Sequence, residues 1–151
     1  MKIPTKPQIL SQYKTIVQEK IEMLQKMISD LTIDAQNDAK GSAGDKHETA
    51  LSMMHLEQEK LNMKLKEVLE QKSVLEGIDV LKANKLITLG SLVQTDNFLF
   101  FISTALPKIT IDDKDVIALS PFSPLGKEML GKGETELFEF NSMKYKILSI
   151  D

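Results

Sequence analysis

Two acidic residues near the middle of the chain have a spacing that suits a shared cation. Asp45 and Glu48 are three residues apart, so on a helix they would lie on one face, one turn apart. Asp34 and Asp38 end the preceding helical segment and could join them. Carboxylates held together can bind a hard cation such as Mg²⁺, which takes one or two protein carboxylates and keeps several waters. The spacing therefore indicates a possible Mg²⁺ site.

The same two acids also fit a purely structural role. Asp45-x-x-Glu48 is a capping-box pattern, with Asp45 as N-cap and Glu48 three residues into the helix. Acids at a helix N-terminus also complement the helix dipole. Spacing alone favours capping over metal binding, and a Glu48 folded back onto the backbone could not also reach outward.

Composition excludes several other kinds of chemistry. The chain has 151 residues, a net charge of −3 and no cysteine, so a thiolate nucleophile, a disulfide and a Cys-ligated metal are excluded. All 19 basic residues are lysine, so no guanidinium fork is present to read guanine, and direct reading of DNA sequence is not expected. We expect His47 and His55 to be solvated helix residues, because they lie eight residues apart with no third ligand.

Two heptad series in the first half predict two long helices of coiled-coil type. The first has apolar residues seven apart, interleaved with a row that polar residues interrupt: Leu10, Val17, Leu24 and Leu31, with Tyr13, Lys20, Met27 and Asp34 between them. The second steps by three and four residues: Leu51, Met54, Gln58, Leu61, Leu65, Val68, Lys72 and Leu75. Each covers about 30 residues, or ~45 Å of helix.

Turn and cap signals divide these helices from each other and from the rest. Thr5 and Gln8 form a capping-box pattern with Pro7 in the first turn, and Gly77 suits a helix C-terminus. The small residues at 40–44 between the two series predict a tight connection. A short turn between long helices gives an antiparallel hairpin, with its tip near residues 40–48.

The second half predicts a sheet with one short helix. Strands are predicted at 91–95, 97–104, 108–111, 116–119, 136–140 and 144–150, with turns at 112–114 and 141–142. Ser123 as N-cap, Pro124 in first position and Gly131 as terminator predict a helix over 123–130. The expected fold class is α+β: a coiled-coil hairpin over 1–76, a linker over 77–85, and an antiparallel sheet domain over 86–151.

Nothing in the sequence indicates a membrane segment. No apolar run approaches the roughly 20 residues that a membrane span needs. The N-terminus lacks the apolar stretch of a signal peptide. We therefore expect a soluble cytoplasmic protein without a membrane partner.

Two motifs in this order resemble the Gre-type transcription elongation factors, GreA and GreB. The hairpin tip has the pattern G-D-x-x-E, here Gly44-Asp45-Lys46-His47-Glu48. The second signature contains the pattern S-P-L-x-x-x-[LM]-L-G-K and is here Ser120-Pro121-Phe122-Ser123-Pro124-Leu125-Gly126-Lys127-Glu128-Met129-Leu130-Gly131-Lys132. The order of parts and the length also match, so the resemblance covers nearly the whole chain.

The resemblance implies a fold and a mechanism. Such factors have an N-terminal coiled coil that enters the secondary channel of bacterial RNA polymerase and an FKBP-like C-terminal domain that docks on the channel rim. Two tip acids, here Asp45 and Glu48, help hold the second catalytic Mg²⁺ while the polymerase cleaves backtracked RNA. Residues near Ser123, Pro124 and Lys127 would lie on or near the docking surface, although Pro124 equally suits a helix start. The protein would then be a monomeric accessory factor rather than an enzyme, with no cofactor besides the Mg²⁺ shared with the polymerase.

Other functions remain open at this point. The family usually has Leu, Ser and Asn where this chain has Lys46, His47 and Thr49, and a lysine beside the acids opposes cation binding. An inhibitory regulator that binds the same channel is therefore an alternative. A coiled-coil adaptor is another, because polar seam residues can set helix pairing. A prolyl isomerase is suggested only by the FKBP-like shape, and shape alone does not license the activity.

Overall fold

The α+β fold is present in a computed structural model that describes residues 3–41 and 45–151, with side chains described for 3–37 and 48–151. The two long helices are α1 (Lys6–Gly41) and α2 (Asp45–Glu76), and the short helix is α3 (Pro124–Met129). The strands are β1 (Leu92–Thr95), β2 (Leu99–Ile102), β3 (Ile109–Ile111), β4 (Lys114–Leu119), β5 (Leu137–Phe140) and β6 (Met143–Ile150). The chain forms two compact units, Thr15–Lys72 and the remainder.

The start of α1 follows the predicted capping box. The Gln8 backbone N–H donates to Thr5 Oγ1 at 3.3 Å, and the Thr5 backbone N–H donates to Gln8 Oε1 at 2.9 Å. This reciprocal pair satisfies two backbone donors that a helix start would otherwise leave without partners. The first turn is therefore fixed by residues within the same turn.

Within the unit Thr15–Lys72, α1 and α2 pair as a hairpin. Gln58 Nε2 of α2 donates to Thr32 Oγ1 of α1 at 2.8 Å, which fixes which levels of the two helices face each other. On α2, Leu61 and Val68 are buried and Leu65 is half-buried. The predicted α2 series is therefore confirmed as the buried face.

The predicted seam of α1 is wrong in its second row. Ile21 and Ala35 are 3% and 7% exposed, whereas Lys20 and Asp34 are exposed and Met27 is 45% exposed. The row that accompanies the repeat in this unit is the buried Ile21, the half-buried Ile28 and the buried Ala35, which lie four residues after Val17, Leu24 and Leu31 rather than three. Burying an aliphatic row leaves the Lys20 and Asp34 charges in water, which avoids the desolvation cost of placing them in the seam.

The other unit contains one six-stranded sheet in the order β3-β4-β2-β1-β6-β5. Most neighbours are antiparallel, as predicted, but β2 and β4 are parallel, with Leu99 opposite Val116 and Ile102 opposite Leu119. The prediction of a purely antiparallel sheet is therefore wrong at this pair. After β2 the chain runs first to β3 at the edge of the sheet and then turns back to form β4 between β3 and β2. Because β4 is antiparallel to β3, it runs in the same direction as β2.

Two hairpins of the sheet turn on non-glycine residues with positive φ. Asp112 and Asp113 (φ 49° and 63°) join β3 to β4, and Asn141 and Ser142 (φ 51° and 65°) join β5 to β6. Positive φ at both central residues is the type I′ geometry, whose twist matches that of paired strands. Asp and Asn tolerate this region better than most residues, so both predicted turns are confirmed.

Strand β2 is buried on both faces. Phe100 and Ile102 join the core, which consists of Ile87, Val93, Phe100, Ile102, Leu119, Met129, Phe138, Tyr145 and Ile147. Phe101, which points to the opposite face, is covered by Tyr13 of α1. The beginning of α1 therefore belongs to the same compact unit as the sheet.

Candidate functional site

Helix α2 begins at Asp45, and this places the two predicted acids in its first turn. Asp45 and Glu48 are three residues apart on a continuous helix, so they share one face of it. Glu48 is exposed. The side chain of Asp45 lies outside the described residues, so the choice between capping and outward presentation stays a prediction.

The wider acidic cluster is only partly described. Asp34 is exposed on α1, while the side chains of Asp38 and Asp45 lie outside the described residues, as do those of Lys46 and His47. Among the side chains that are described, no group of three or more metal-binding residues occurs. His55 is exposed, in keeping with the prediction of a solvated residue.

The donor set suits a shared Mg²⁺ better than a resident one. Two carboxylates at the start of a helix supply oxygen donors, which Mg²⁺ prefers. They are too few to enclose an ion that demands near-octahedral coordination. Asp45 and Glu48 could therefore complete a coordination sphere that another molecule supplies, and this is the chemistry open to them at this end of the hairpin.

The second predicted site is the turn that leads into α3. Ser123 Oγ accepts a hydrogen bond from the Gly126 backbone N–H at 3.1 Å and donates to the Ser120 carbonyl oxygen at 2.6 Å. Ser123 is the N-cap and Pro124 occupies the first position of the helix. The predicted cap is confirmed, and Ser123 is half-buried because its hydroxyl holds the turn together.

Gly126 shows how tightly this turn is folded. A Cβ added there would lie 2.1 Å from the Ser120 carbonyl oxygen, a distance that no side chain tolerates. The backbone of α3 therefore approaches the preceding turn as closely as glycine permits. This close approach fixes the direction in which the turn presents its outer residues.

The outer residues of the turn form a small mixed surface. Pro124 and Lys127 are exposed, and Phe122, which precedes the helix, is a large apolar side chain that is 80% exposed. Sequence reasoning included Phe122 in the motif but assigned it no role. Its position in the sequence could have indicated this exposure. Phe122 lies between Pro121 and Ser123, before the helix begins, so it cannot be part of the buried face of that helix. We call Phe122, Ser123, Pro124 and Lys127 the α3 turn surface.

A depression on β5 and β6 is the feature that bears on proline isomerisation. Its volume is about 400 Å³, and Phe138 and Tyr145 contribute to its lining. These rings stack on each other at 4.8 Å between centroids and are 7% and 6% exposed. Their faces are therefore used in the core rather than offered to a proline ring.

Comparison with known proteins gives likenesses to solved structures. The chain is similar to a solved structure described as that of the transcription factor Gfh1, with a TM-score of 0.35 and 15% sequence identity, over 91% of this chain and 92% of that one. No protein-family model matches the chain, and no curated protein sequence matches it. A likeness of this size establishes neither a family nor a function, so both rest on the chain's own residues.

Within 3–41 and 45–151, no helix combines the length and the apolar character that crossing a membrane requires.

Proposed function

We propose that this protein is a Gre-type factor that binds the secondary channel of bacterial RNA polymerase and stimulates cleavage of backtracked RNA. The observation that carries the proposal is the start of α2 at Asp45, with Asp45 and Glu48 in its first turn, at the turn end of a helical hairpin. The motifs G-D-x-x-E and S-P-L-x-x-x-[LM]-L-G-K support the same assignment.

The hairpin has the length and stiffness that such a role needs. From Thr15 to Gly41, α1 continues for about 27 residues, or ~40 Å. Pairing along Leu24, Leu61 and Val68 stiffens both helices by burying their apolar rows. Stiffness matters because misplacing a reacting group by about 1 Å can cost on the order of 100-fold in rate.

The chemistry would belong to the polymerase. In a two-metal site, each ion stabilises one of the oxygens involved in phosphodiester displacement. Carboxylates of Asp45 and Glu48 would supply ligands to the more weakly held Mg²⁺ and orient the attacking water, since phosphoryl chemistry depends on positioning and charge neutralisation. The protein would act as an accessory factor with no cofactor of its own, in the cytoplasm beside the polymerase, and would touch RNA only indirectly.

The sheet unit would provide the docking surface. We assign its six strands and short helix to the FKBP-like domain of the family. The α3 turn surface offers one exposed aromatic ring, Phe122, and one cation, Lys127. Aromatic side chains, Phe among them, are enriched at protein–protein interfaces, so Phe122 is the candidate anchor of this surface.

The experiment measures RNA cleavage in stalled elongation complexes of bacterial polymerase. We expect Asp45→Asn and Glu48→Gln each to lower the cleavage rate by at least about 100-fold while leaving polymerase binding unchanged, because each removes one anionic ligand. Glu70→Gln is the matched control, since Glu70 is an exposed acid of α2 more than six turns from Asp45. Equal cleavage by all four proteins would overturn the role of the acids.

Two other outcomes would assign a different function. Polymerase binding with inhibition and no cleavage would identify the inhibitory regulator that Lys46, His47 and Thr49 suggest. The absence of polymerase binding would remove the proposal and leave the coiled-coil adaptor. A variant that lacks the tip residues 40–48 but keeps the sheet unit distinguishes channel entry from docking on the rim, because only channel entry needs the tip.

A further inference from the structure

A polar pair joins the two helices of the hairpin. Gln58 Nε2 of α2 donates to Thr32 Oγ1 of α1 at 2.8 Å, and Thr32 Oγ1 donates to the Ile28 carbonyl oxygen at 3.1 Å. A hydroxyl has one proton to donate, so Thr32 can only accept from Gln58, and the amide nitrogen must face it. Both side chains are half-buried. The pair therefore has one defined geometry within the seam.

The apolar contacts differ on the two sides of this pair. On the side away from the turn, Leu24 and Leu61 are each 5% exposed. On the turn side, Ala35 is the one buried side chain within 33–37 and 48–57, the part of that stretch whose side chains are described. Apolar contact is non-directional, so a seam with so little burial does not fix by itself which levels of α1 and α2 face each other.

The register at this pair places the first turn of α2 beyond the end of α1. Thr32 lies nine residues before Gly41, where α1 ends, and Gln58 lies nine residues after Thr49. Both helices rise by the same amount per residue, so Gly41 is level with about Thr49. Helix α2 begins at Asp45. Its first four residues, or ~6 Å of helix, therefore extend past the end of α1.

A groove between the two helices gives the same register. Met23 of α1 and Glu67 of α2 both contribute to its lining. Met23 lies nine residues before Thr32, and Glu67 lies nine residues after Gln58. Equal counts from the hydrogen bond thus reach two side chains that line one groove, as the register requires. The alignment seen at the polar pair is therefore continuous along the hairpin.

We propose that Gln58 is a positioning residue, whose hydrogen bond to Thr32 sets how far Asp45 and Glu48 project beyond the end of α1. A polar residue in an apolar seam specifies register at a cost in stability, because other alignments leave it without its partner. The inference rests on the proposed function, in which the level of the two acids matters. Misplacing a reacting group by about 1 Å can cost on the order of 100-fold in rate.

Distances between spin labels, measured by double electron–electron resonance on the full chain, test the register directly. The chain has no cysteine, so Gln25→Cys and Ser52→Cys, both at exposed positions, take the labels alone. Their separation lies mostly along the helix axes, at ~20 Å, and a slip of one helical turn changes it by ~5 Å. We expect one narrow distance in the otherwise unaltered chain and a broadened or second distance in Gln58→Met, which keeps the length of the side chain but cannot donate.

Three further variants separate the hydrogen bond from the loss of polarity. Thr32→Val removes the acceptor and should broaden the distance as Gln58→Met does. The exchanged pair, Thr32→Gln with Gln58→Thr, restores a donor and an acceptor across the antiparallel seam and should return one narrow distance. Gln36→Met makes the same change at an exposed position of α1 and should leave the distance narrow. The melting temperature of Gln58→Met, followed by circular dichroism, should be unchanged or raised, because the seam gains an apolar side chain.

Cleavage in stalled elongation complexes tests the consequence for the acids. Gln58→Met should bind the polymerase as the wild type does and cleave RNA about tenfold more slowly, while Gln36→Met should cleave at the wild-type rate. A distance as narrow in Gln58→Met as in the wild type would overturn the proposal, and so would full cleavage by a variant whose distance has broadened. A wild type that does not cleave would refute the proposed function, whereas the spin-label distances would still decide whether Gln58 sets the register.

Discussion

The ring of Tyr13 in α1 stacks on the ring of Phe101 in β2, with 6.3 Å between centroids and 7° between planes. The Tyr13 hydroxyl donates to the Pro107 carbonyl oxygen at 2.9 Å and lies 3.4 Å from that of Val116. Tyr13 is fully buried. Its ring makes an apolar contact, and its hydroxyl group is hydrogen-bonded. It holds the first turns of α1 against the face of β2 that carries Phe101, opposite the core face.

Replacing Tyr13 by phenylalanine should destabilise the protein by about 1–2 kcal/mol near neutral pH, because it removes the hydrogen bond from the hydroxyl to the Pro107 carbonyl oxygen. Burial raises the pKa of Tyr13 to about 12. The unfolded phenol loses its proton near pH 10, so the wild type loses stability as pH rises from about 10 to about 12. Urea titrations of both proteins along this range should show the difference between them shrinking; a constant difference would contradict the raised pKa.

Lys6 is buried, and Lys6→Met tests what its charge contributes. Its ammonium donates to the Lys82 carbonyl oxygen at 2.7 Å and lies 3.9 Å from an Asp151 carboxylate oxygen. Burial lowers the pKa of Lys6, with Asp151 and Asp79 opposing the shift. Between that lowered pKa and about 10.4 the unfolded state binds more protons, so stability rises with pH.

We expect Lys6→Met to lose this rise and to match the wild type within about 1 kcal/mol at neutral pH, since methionine fills similar space without a buried charge. Thermal melts at several pH values between 7 and about 10.5 measure both effects. A large loss at neutral pH would mean that the hydrogen bond to Lys82 outweighs the cost of burying the ammonium.

The corrected seam of α1 predicts unequal effects for two apolar truncations. Ile21→Ala should cost about 2–4 kcal/mol, since Ile21 is 3% exposed and its removal leaves a cavity. Met27→Ala should cost less than about 1 kcal/mol, because Met27 is already 45% exposed. Chemical denaturation at low protein concentration compares them, and a larger loss for Met27→Ala would restore the register first inferred from the sequence.

Gly126→Ala should destabilise the turn before α3 by about 2 kcal/mol or more, because its Cβ would collide with the Ser120 carbonyl oxygen. Gly133→Ala is the control, since a Cβ there meets a flexible end of Leu86 at 3.4 Å. Melting temperatures of the two variants report the difference. Equal melting temperatures would mean that the turn can move aside without cost.

Phe122→Ser should leave stability within about 0.5 kcal/mol, because the ring is 80% exposed. If the α3 turn surface contacts the polymerase, the same change should weaken binding by about tenfold or more. Leu137→Ser removes another apolar side chain, 71% exposed on β5, and should leave binding unchanged. Surface-immobilised polymerase provides the measurement, and equal affinity of both variants would exclude Phe122 from the interface.

Local features of this fold were predictable from sequence because they are satisfied by neighbours in the chain. The capping box of Thr5 and Gln8, the cap at Ser123 and the turns at Asp112 and Asn141 each close within a few residues. Their chemistry is therefore complete in a short window of sequence. The exposed acid Glu48 was placed on its helix by the same local reasoning.

Features that depend on distant contacts were not predictable in this way. Tyr13 stacks on Phe101 of the sheet, so its burial does not mark the seam, and continuing the seam from Tyr13 to Lys20 and Met27 selected the wrong row. The parallel pairing of β2 and β4 depends on where β3 lies, which no local pattern encodes. The exposure of Phe122 likewise follows from how the turn before α3 folds against the sheet.

The stacked pair of Tyr13 and Phe101 has a consequence for how the chain folds during synthesis. Tyr13 leaves the ribosome long before its carbonyl partners, which follow 94 and 103 residues later. Helices 15–41 and 45–72 can already pair in that interval, because their contacts are closer in sequence. We therefore expect the hairpin to form first and the sheet to close last, and a fragment released before Pro107 to retain helicity while the phenol of Tyr13 stays open to water.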